Sequence, residues 1–81
     1  MRKHNLAFLD IETTGLNVLE HEIIEIGCVV TDNDLNILDK FNIKIKPENI
    51  KNADHISLKI NHYSEKDWEN AKTLKSAMKL L

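Results

Sequence analysis

The sequence predicts an α/β domain in which three antiparallel strands precede two or three short helices. Three observations carry that prediction. An apolar run, Leu6-Ala7-Phe8-Leu9, lies near the start; a clear alternation of apolar and polar residues follows across 35–46; beyond Pro47 the apolar residues move to spacings of three and four. The first two patterns suit strands, and the third suits helices.

Each element has a local reason. The first strand is expected over about 5–11, apolar on both faces, which is the pattern of a strand within a covered sheet. The second is expected over about 22–31, where Ile23, Ile24, Ile26, Cys28, Val29 and Val30 make a strand able to pair with the first. Thr31-Asp32-Asn33-Asp34 is rich in residues that tolerate turn geometry. In the third strand Leu35, Ile37, Phe41, Ile43 and Ile45 share one parity, and Asn36, Lys40, Asn42, Lys44 and Lys46 share the other. That is a half-buried edge strand, its lysines guarding against edge-to-edge pairing, and Pro47 ends it. The lysines read as a solvated face rather than as a nucleic-acid track.

A short helix is expected over about 54–60, with Ile56 and Ile60 turned inward and Asn61 as its left-handed cap. Ser64 is placed as the next N-cap, with Asp67 in a capping-box relation to it. Trp68 anchors this turn against the sheet. Thr73 then caps a last helix that carries Leu74, Met78 and Leu81 at helical spacing.

Composition narrows the function classes. With 42% hydrophobic and 30% charged residues, the chain is an ordinary globular sequence rather than a disordered one. A formal charge of −2 argues against a strongly basic nucleic-acid-binding protein, but not against a site whose positive charge comes from bound metal. The single cysteine, Cys28, has no partner for a disulfide and suits the role of a small buried hydrophobe. Asp10 interrupts the N-terminal apolar run, which argues against a secretory leader or a membrane span and points to the cytoplasm. No linker, repeat or low-complexity tract divides the chain, and 81 residues support only a marginal core.

The most informative chemistry lies at the end of the first strand. Asp10 and Glu12 are two apart, so on a strand they project side by side from one face. Two adjacent carboxylates repel unless a positive charge lies between them. A hard divalent cation with oxygen ligands supplies it, and two such ions can clamp a phosphoryl group. After the pair, Thr13 and Thr14 offer hydroxyls and backbone amides, and Gly15 permits a positive φ or a close backbone approach by a ligand. His4 and His21 read as surface residues, and Glu25 as a residue held by a structural hydrogen bond.

The segments DIETTGLN (10–17), IIEIGCVVTD (23–32) and LNILDKFNIKIKP (35–47) resemble the DEDD-type 3′→5′ exonucleases, and KINHYSEKDW (59–68) matches more loosely. That family includes proofreading exonucleases, ribonuclease T and oligoribonuclease. The resemblance implies a ribonuclease H-like exonuclease fold, of which residues 1–81 form the N-terminal part of a single domain that stops before the second and third catalytic motifs. It implies that Asp10 and Glu12 are catalytic metal ligands for two Mg²⁺ or Mn²⁺ ions, with Asp10 bridging. It also implies that Thr13, Thr14, Gly15 and Leu16 line the pocket for the terminal nucleotide. His62 falls where the family's nucleotide-side loop passes, which leaves a substrate contact open for it.

The implied activity is hydrolysis of single-stranded DNA or RNA from the 3′ end to nucleoside 5′-monophosphates. The isolated 81-residue chain is expected to be inactive, because half of the family's four acidic residues are missing from it. A polymerase or a second copy of the chain is the protein partner this reading allows. The alternative is a non-catalytic, nuclease-like interaction or nucleic-acid-binding module whose open sheet edge is completed by another chain.

Overall fold

A computed structural model describes residues 4–80. Three antiparallel strands, β1 (Leu6–Thr13), β2 (Ile23–Thr31) and β3 (Ile37–Lys44), form one sheet in the order β1-β2-β3. A single 3₁₀ turn (Ile50–Asn52) and three short helices follow: α1 (His55–Ile60), α2 (Glu65–Trp68) and α3 (Leu74–Met78). The predicted order of elements is the observed one. Leu81, predicted on the last helix, lies outside the described residues.

Burial along β2 alternates strictly at first. Ile24, Ile26 and Cys28 are buried, while Ile23, Glu25 and Gly27 between them are half-buried. On the buried face Ile26 and Ile43 are cross-strand partners, and Ala77 of α3 closes over them together with Ile45. Helix α3 therefore presents a small residue to the core. Leu74 and Met78, whose spacing predicted an apolar face, stay about half exposed. Alanine lets the helix backbone lie close to the β-branched side chains of the sheet.

Strand β1 is an edge strand, not the covered inner strand its two apolar faces suggest. Leu6, Phe8, Leu9 and Ile11 are all 40–60% exposed, because β2 takes the centre and no described element lies beyond β1. The radius of gyration, 14.7 Å, exceeds the roughly 11.7 Å of a compact chain this long. Apolar surface on both sides of one strand and an elongated shape have the same source: the sheet is covered over β2 and β3 and bare over β1.

The β2–β3 connection is organised by Asp32. Its carboxylate accepts the backbone N–H of Asp34 (2.9 Å) and Asn36 (3.0 Å) and the Asn36 side-chain amide (3.1 Å). The Asn36 side-chain bond above all, with the backbone bonds, holds the Asp32 carboxyl below its usual pKa. Leu35 lies in this turn rather than in β3, with φ at 65° and its side chain mostly exposed. A branched side chain in the left-handed region is strained, and three-residue hairpin loops usually put glycine there.

Ser64 and Thr73 cap α2 and α3 as the sequence predicts, accepting from the N–H of Asp67 and Ser76, while Asp54, expected inside the first helix, is its N-cap and accepts from the N–H of Ser57. Ile56 and Ile60 do not turn inward, however; both are nearly 70% exposed. Helix α1 is docked by its two ends, not by an apolar face: Asp54 N–H donates to the Thr14 carbonyl (2.7 Å), and the Asn61 side chain donates to the Thr13 carbonyl (2.9 Å). Nor is Asn61 the left-handed residue. It has φ −89°, and His62, at φ 56°, takes that conformation. The N–H groups of His62 and Tyr63 then bond back to Lys59 (3.2 Å) and Leu58 (2.9 Å), completing a Schellman-type ending.

Trp68 is the predicted anchor. It is 4% exposed, and its indole N–H donates to the Ile24 carbonyl at 2.8 Å, the same carbonyl that accepts from Ile45 N–H. Among the described residues no helix is long and apolar enough to cross a membrane.

Two stability outcomes are expected. Leu35→Gly should raise unfolding stability by about 1 kcal/mol, measured by urea or thermal melts, because it removes left-handed strain from an exposed site. The carboxyls of Asp32 and Asp54 are both held below their ordinary pKa, each chiefly by a side-chain hydrogen bond, from Asn36 and Ser57 respectively. Their stabilisation is therefore fully present above the unfolded carboxyl pKa of about 4 and is lost as pH falls through the lower folded values. A pH series of melts should show that loss, and Asp32→Asn should reduce it.

Candidate active site

The register places the predicted carboxylates. Asp10 pairs with Gly27, which pairs with Asn42; Glu12 pairs with Glu25, which pairs with Lys44. Side chains directly opposite in adjacent strands share a face. One sheet face, opposite the Ile26–Ile43 core, therefore carries Asp10 and Glu12 on β1, Gly27 and Glu25 on β2, and Lys40, Asn42 and Lys44 on β3. Asp10 is exposed and Glu12 half-buried. Gly27 leaves the middle of this face low: a Cβ there would stand 3.0 Å from the Asn42 side-chain oxygen.

Sequence parity put the lysines of β3 on a plainly solvated face. The structure shows that this face is the one bearing the carboxylates. Lys44 Nζ lies 3.8 Å from the Glu25 carboxylate and 4.8 Å from the centre of the Trp68 ring, so its charge answers Glu25. Glu25 is thus held by an ion pair in addition to its backbone pairing. It stands directly across from Glu12.

After Glu12 the ladder shifts by a residue at Thr13, and the chain leaves the sheet. Thr14 is the knot of the loop that follows. It is 1% exposed; its N–H donates to the Glu22 carbonyl (2.9 Å), its hydroxyl accepts the Glu22 N–H (2.9 Å), and its carbonyl accepts from Asp54. Thr13 donates its hydroxyl to the Gly15 carbonyl at 2.7 Å. Both threonine hydroxyls are therefore engaged within the loop. Leu16 is 97% exposed.

Gly15 does not have a positive φ. A side chain there would collide with the imidazole of His21, which packs on the glycine. His21 is accordingly half-buried rather than a plain surface residue; its Nδ1 accepts the Asn17 N–H at 3.0 Å and so carries the proton on the other nitrogen. Glu22 ties the loop to the segment after β3, its two carboxylate oxygens accepting from Glu48 N–H (2.8 Å) and Asn49 N–H (2.9 Å).

A cleft of about 330 Å³ opens beside Glu12, lined by Glu12, Glu25, Lys44, Asn61, His62 and Trp68 among others. Sequence reasoning missed Asn61 and His21 as organisers of this region. Their roles depend on contacts across 48 residues and around a loop, and neither leaves a local pattern.

The donors fit a hard cation. Asp10, exposed, and Glu12, half-buried, offer oxygen donors next to each other on one sheet face. Among the described residues no group of three or more histidine, cysteine or acidic side chains is placed to hold a metal. Two carboxylates offer only part of the oxygen shell that a hard divalent cation takes, the rest coming from water or from other groups.

The structure thus presents a three-stranded antiparallel sheet with paired carboxylates at the end of its first strand, followed by short helices. The exonuclease family matches residues 7–80, and the chain belongs to it. Within that family it falls in the DEDD-type 3′→5′ group. The chain is 53% identical to the oligoribonuclease of Neisseria meningitidis serogroup C over 36 residues, 44% of this chain and 19% of that protein. It is 53% identical to the Photorhabdus laumondii oligoribonuclease over 38 residues, 47% of this chain and 21% of that one. It thus spans about a fifth of the curated relatives it matches.

A full-length 3′-exonuclease superimposes with a TM-score of 0.77 at 22% identity, over 93% of this chain and 26% of the other. A second 3′-exonuclease, from a structure of 3′-end-specific recognition of histone mRNA stem-loop, gives 0.76 at 22% identity, over 93% and 28%. The fold is the ribonuclease H-like exonuclease fold.

Thr14→Val should lower stability by about 1–3 kcal/mol in equilibrium unfolding, because it preserves shape but leaves the Glu22 N–H without its partner.

Proposed function

We propose that this chain is the N-terminal part of a metal-dependent 3′→5′ exonuclease domain that removes nucleoside 5′-monophosphates from single-stranded RNA. The placement of Asp10 and Glu12 side by side on one open sheet face, in a chain of the exonuclease family, carries this reading. RNA is favoured over DNA by the named relatives, which are oligoribonucleases, and by the 3′-exonuclease of the mRNA stem-loop structure. A cytoplasmic setting accompanies the reading, in keeping with a single free, buried Cys28.

Asp10 and Glu12 would hold the divalent ions through their carboxylate oxygens. When bound, the ions supply the charge that activates water and stabilises the leaving 3′-oxygen. Asn61 fixes the end of β1 through the Thr13 carbonyl, so the Glu12 carboxylate is held at the mouth of the cleft. Lys44 neutralises Glu25, which would otherwise oppose Glu12 across the ladder. In this reading the exposed Leu16, at the turn beyond Glu12, meets the terminal nucleotide, and Gly15, covered by His21, shapes that turn. Thr13 and Thr14 contribute to that pocket through the shape of the loop, since their hydroxyls are already bonded within it. In this reading the remaining carboxylates come from later motifs of the same domain.

One observation favours a second reading. The bare edge and both exposed apolar faces of β1 suit a module whose sheet is completed by another chain.

In the full-length protein, Asp10→Asn and Glu12→Gln should each abolish hydrolysis of single-stranded RNA while changing unfolding stability by no more than about 0.5 kcal/mol, because each substitution keeps the side chain's shape and neither position is fully buried. Chelation should stop the wild-type reaction, and added Mg²⁺ or Mn²⁺ should restore it. Hydrolysis that survives either substitution would sink the assignment of that carboxylate. Wild-type protein that binds a partner chain but hydrolyses neither RNA nor DNA would favour the second reading.

A further inference from the structure

Leu16 is 97% exposed, so its own side chain does nothing to hold it in place. Its position depends on its two neighbours, and one imidazole holds both. His21 packs on Gly15, where a Cβ would collide with the ring, and its Nδ1 accepts the Asn17 N–H at 3.0 Å. The turn between is closed by the Asn17 carbonyl, which accepts the N–H groups of Glu20 (3.1 Å) and His21 (2.8 Å), so the residue that carries the ring is itself fixed. What this clasp sets is not a core residue but the apolar side chain that meets the terminal nucleotide in the exonuclease reading.

The clasp needs a neutral ring. Nδ1 accepts the Asn17 N–H only while it carries no proton; in an imidazolium both nitrogens donate, and two N–H groups would face each other. Charged groups stand around the ring: its neighbour Glu20, Asp54 and His55 at the start of α1, and Glu22, Lys46 and Glu48 about the cavity that His21 lines. The Asp54 carboxyl is held low first by its bonds from Ser57 and further by the charges of His21 and His55. Carboxylates outnumber cations here, so a protonated ring released from Asn17 has acceptors to turn to. We propose that His21 is a positioning residue for the terminal-nucleotide pocket: the neutral imidazole clasps Gly15 and Asn17 and so sets Leu16, and protonation at Nδ1 opens the clasp. This inference rests on the exonuclease reading.

The test is a KM profile against pH in the full-length protein at saturating Mg²⁺. For the wild type, KM for single-stranded RNA should rise roughly fivefold from about pH 8 to about pH 5, the span in which imidazole side chains ordinarily take up a proton. His21→Ala should show the high KM at both ends. His21→Asn puts an oxygen in the place of Nδ1 and does not titrate, so it should recover most of the low KM and keep it at pH 5. The kcat of all three should follow one pH profile, since the reacting groups are unchanged. A flat wild-type KM, an equally steep rise in His21→Asn, no recovery by that variant, or a His21→Ala KM equal to the wild type's at pH 8 would each overturn the proposal and leave the exonuclease reading intact. Should His21→Ala fail to fold, the wild type against His21→Asn decides. A wild-type protein that hydrolyses no single-stranded nucleic acid would overturn both.

Discussion

The pairing of β1 with β2 is the constraint on which the rest of this structure depends. Because side chains alternate along a strand, the register that sets Asp10 against Gly27 and Glu12 against Glu25 fixes which face carries chemistry and which carries the core. A slip of one residue would turn Asp10 and Glu12 toward the Ile26 side and bring Leu9 and Ile11 to the other. The burial of Ile24, Ile26 and Cys28 on β2 opposes such a slip, and it does so from the strand that both neighbours share.

From that register the site is assembled by a few polar ties rather than by a deep core. Thr14 joins the loop after β1 to the start of β2 and to the N-terminus of α1; Asn61 joins the C-terminus of α1 back to β1. Trp68 then fixes α2 against the start of β2. Each tie is a hydrogen bond to backbone, so the loop and α1 keep their place although Ile56 and Ile60 face solvent. The same economy explains why side chains that look catalytic serve the scaffold: the Thr13 and Thr14 hydroxyls and the His21 ring hold the loop that Glu12 leads into.

Charge is arranged on the same face with equal care. Glu25 opposes Glu12 across the ladder, an unfavourable pairing of like charges. Lys44, held over Trp68, lies on the far side of Glu25 and draws its charge away. The carboxylate pair is left free for a cation, and Gly27 beside it keeps the surface open. The face is acidic at the β1 edge and basic at the β3 edge, a polarity that the net charge of −2 conceals.

Strand order, helix caps and the carboxylate pair were legible in the sequence because each is a local matter. Period-two alternation marks strands, Ser64 and Thr73 cap by reaching three residues ahead, and an i, i+2 pair shares a face wherever the strand lies. Tertiary structure alone decided what those elements meet. Parity could show that Lys40 and Lys44 lie opposite Ile43, but only the pairing through β2 put them on the face of Asp10 and Glu12. The spacing of Ile56 and Ile60 fitted a buried stripe, yet α1 is tethered by its ends and leaves that stripe exposed. The left-handed cap fell to His62 rather than Asn61 because Asn61 is occupied with Thr13, a contact between residues 48 apart that no local rule contains.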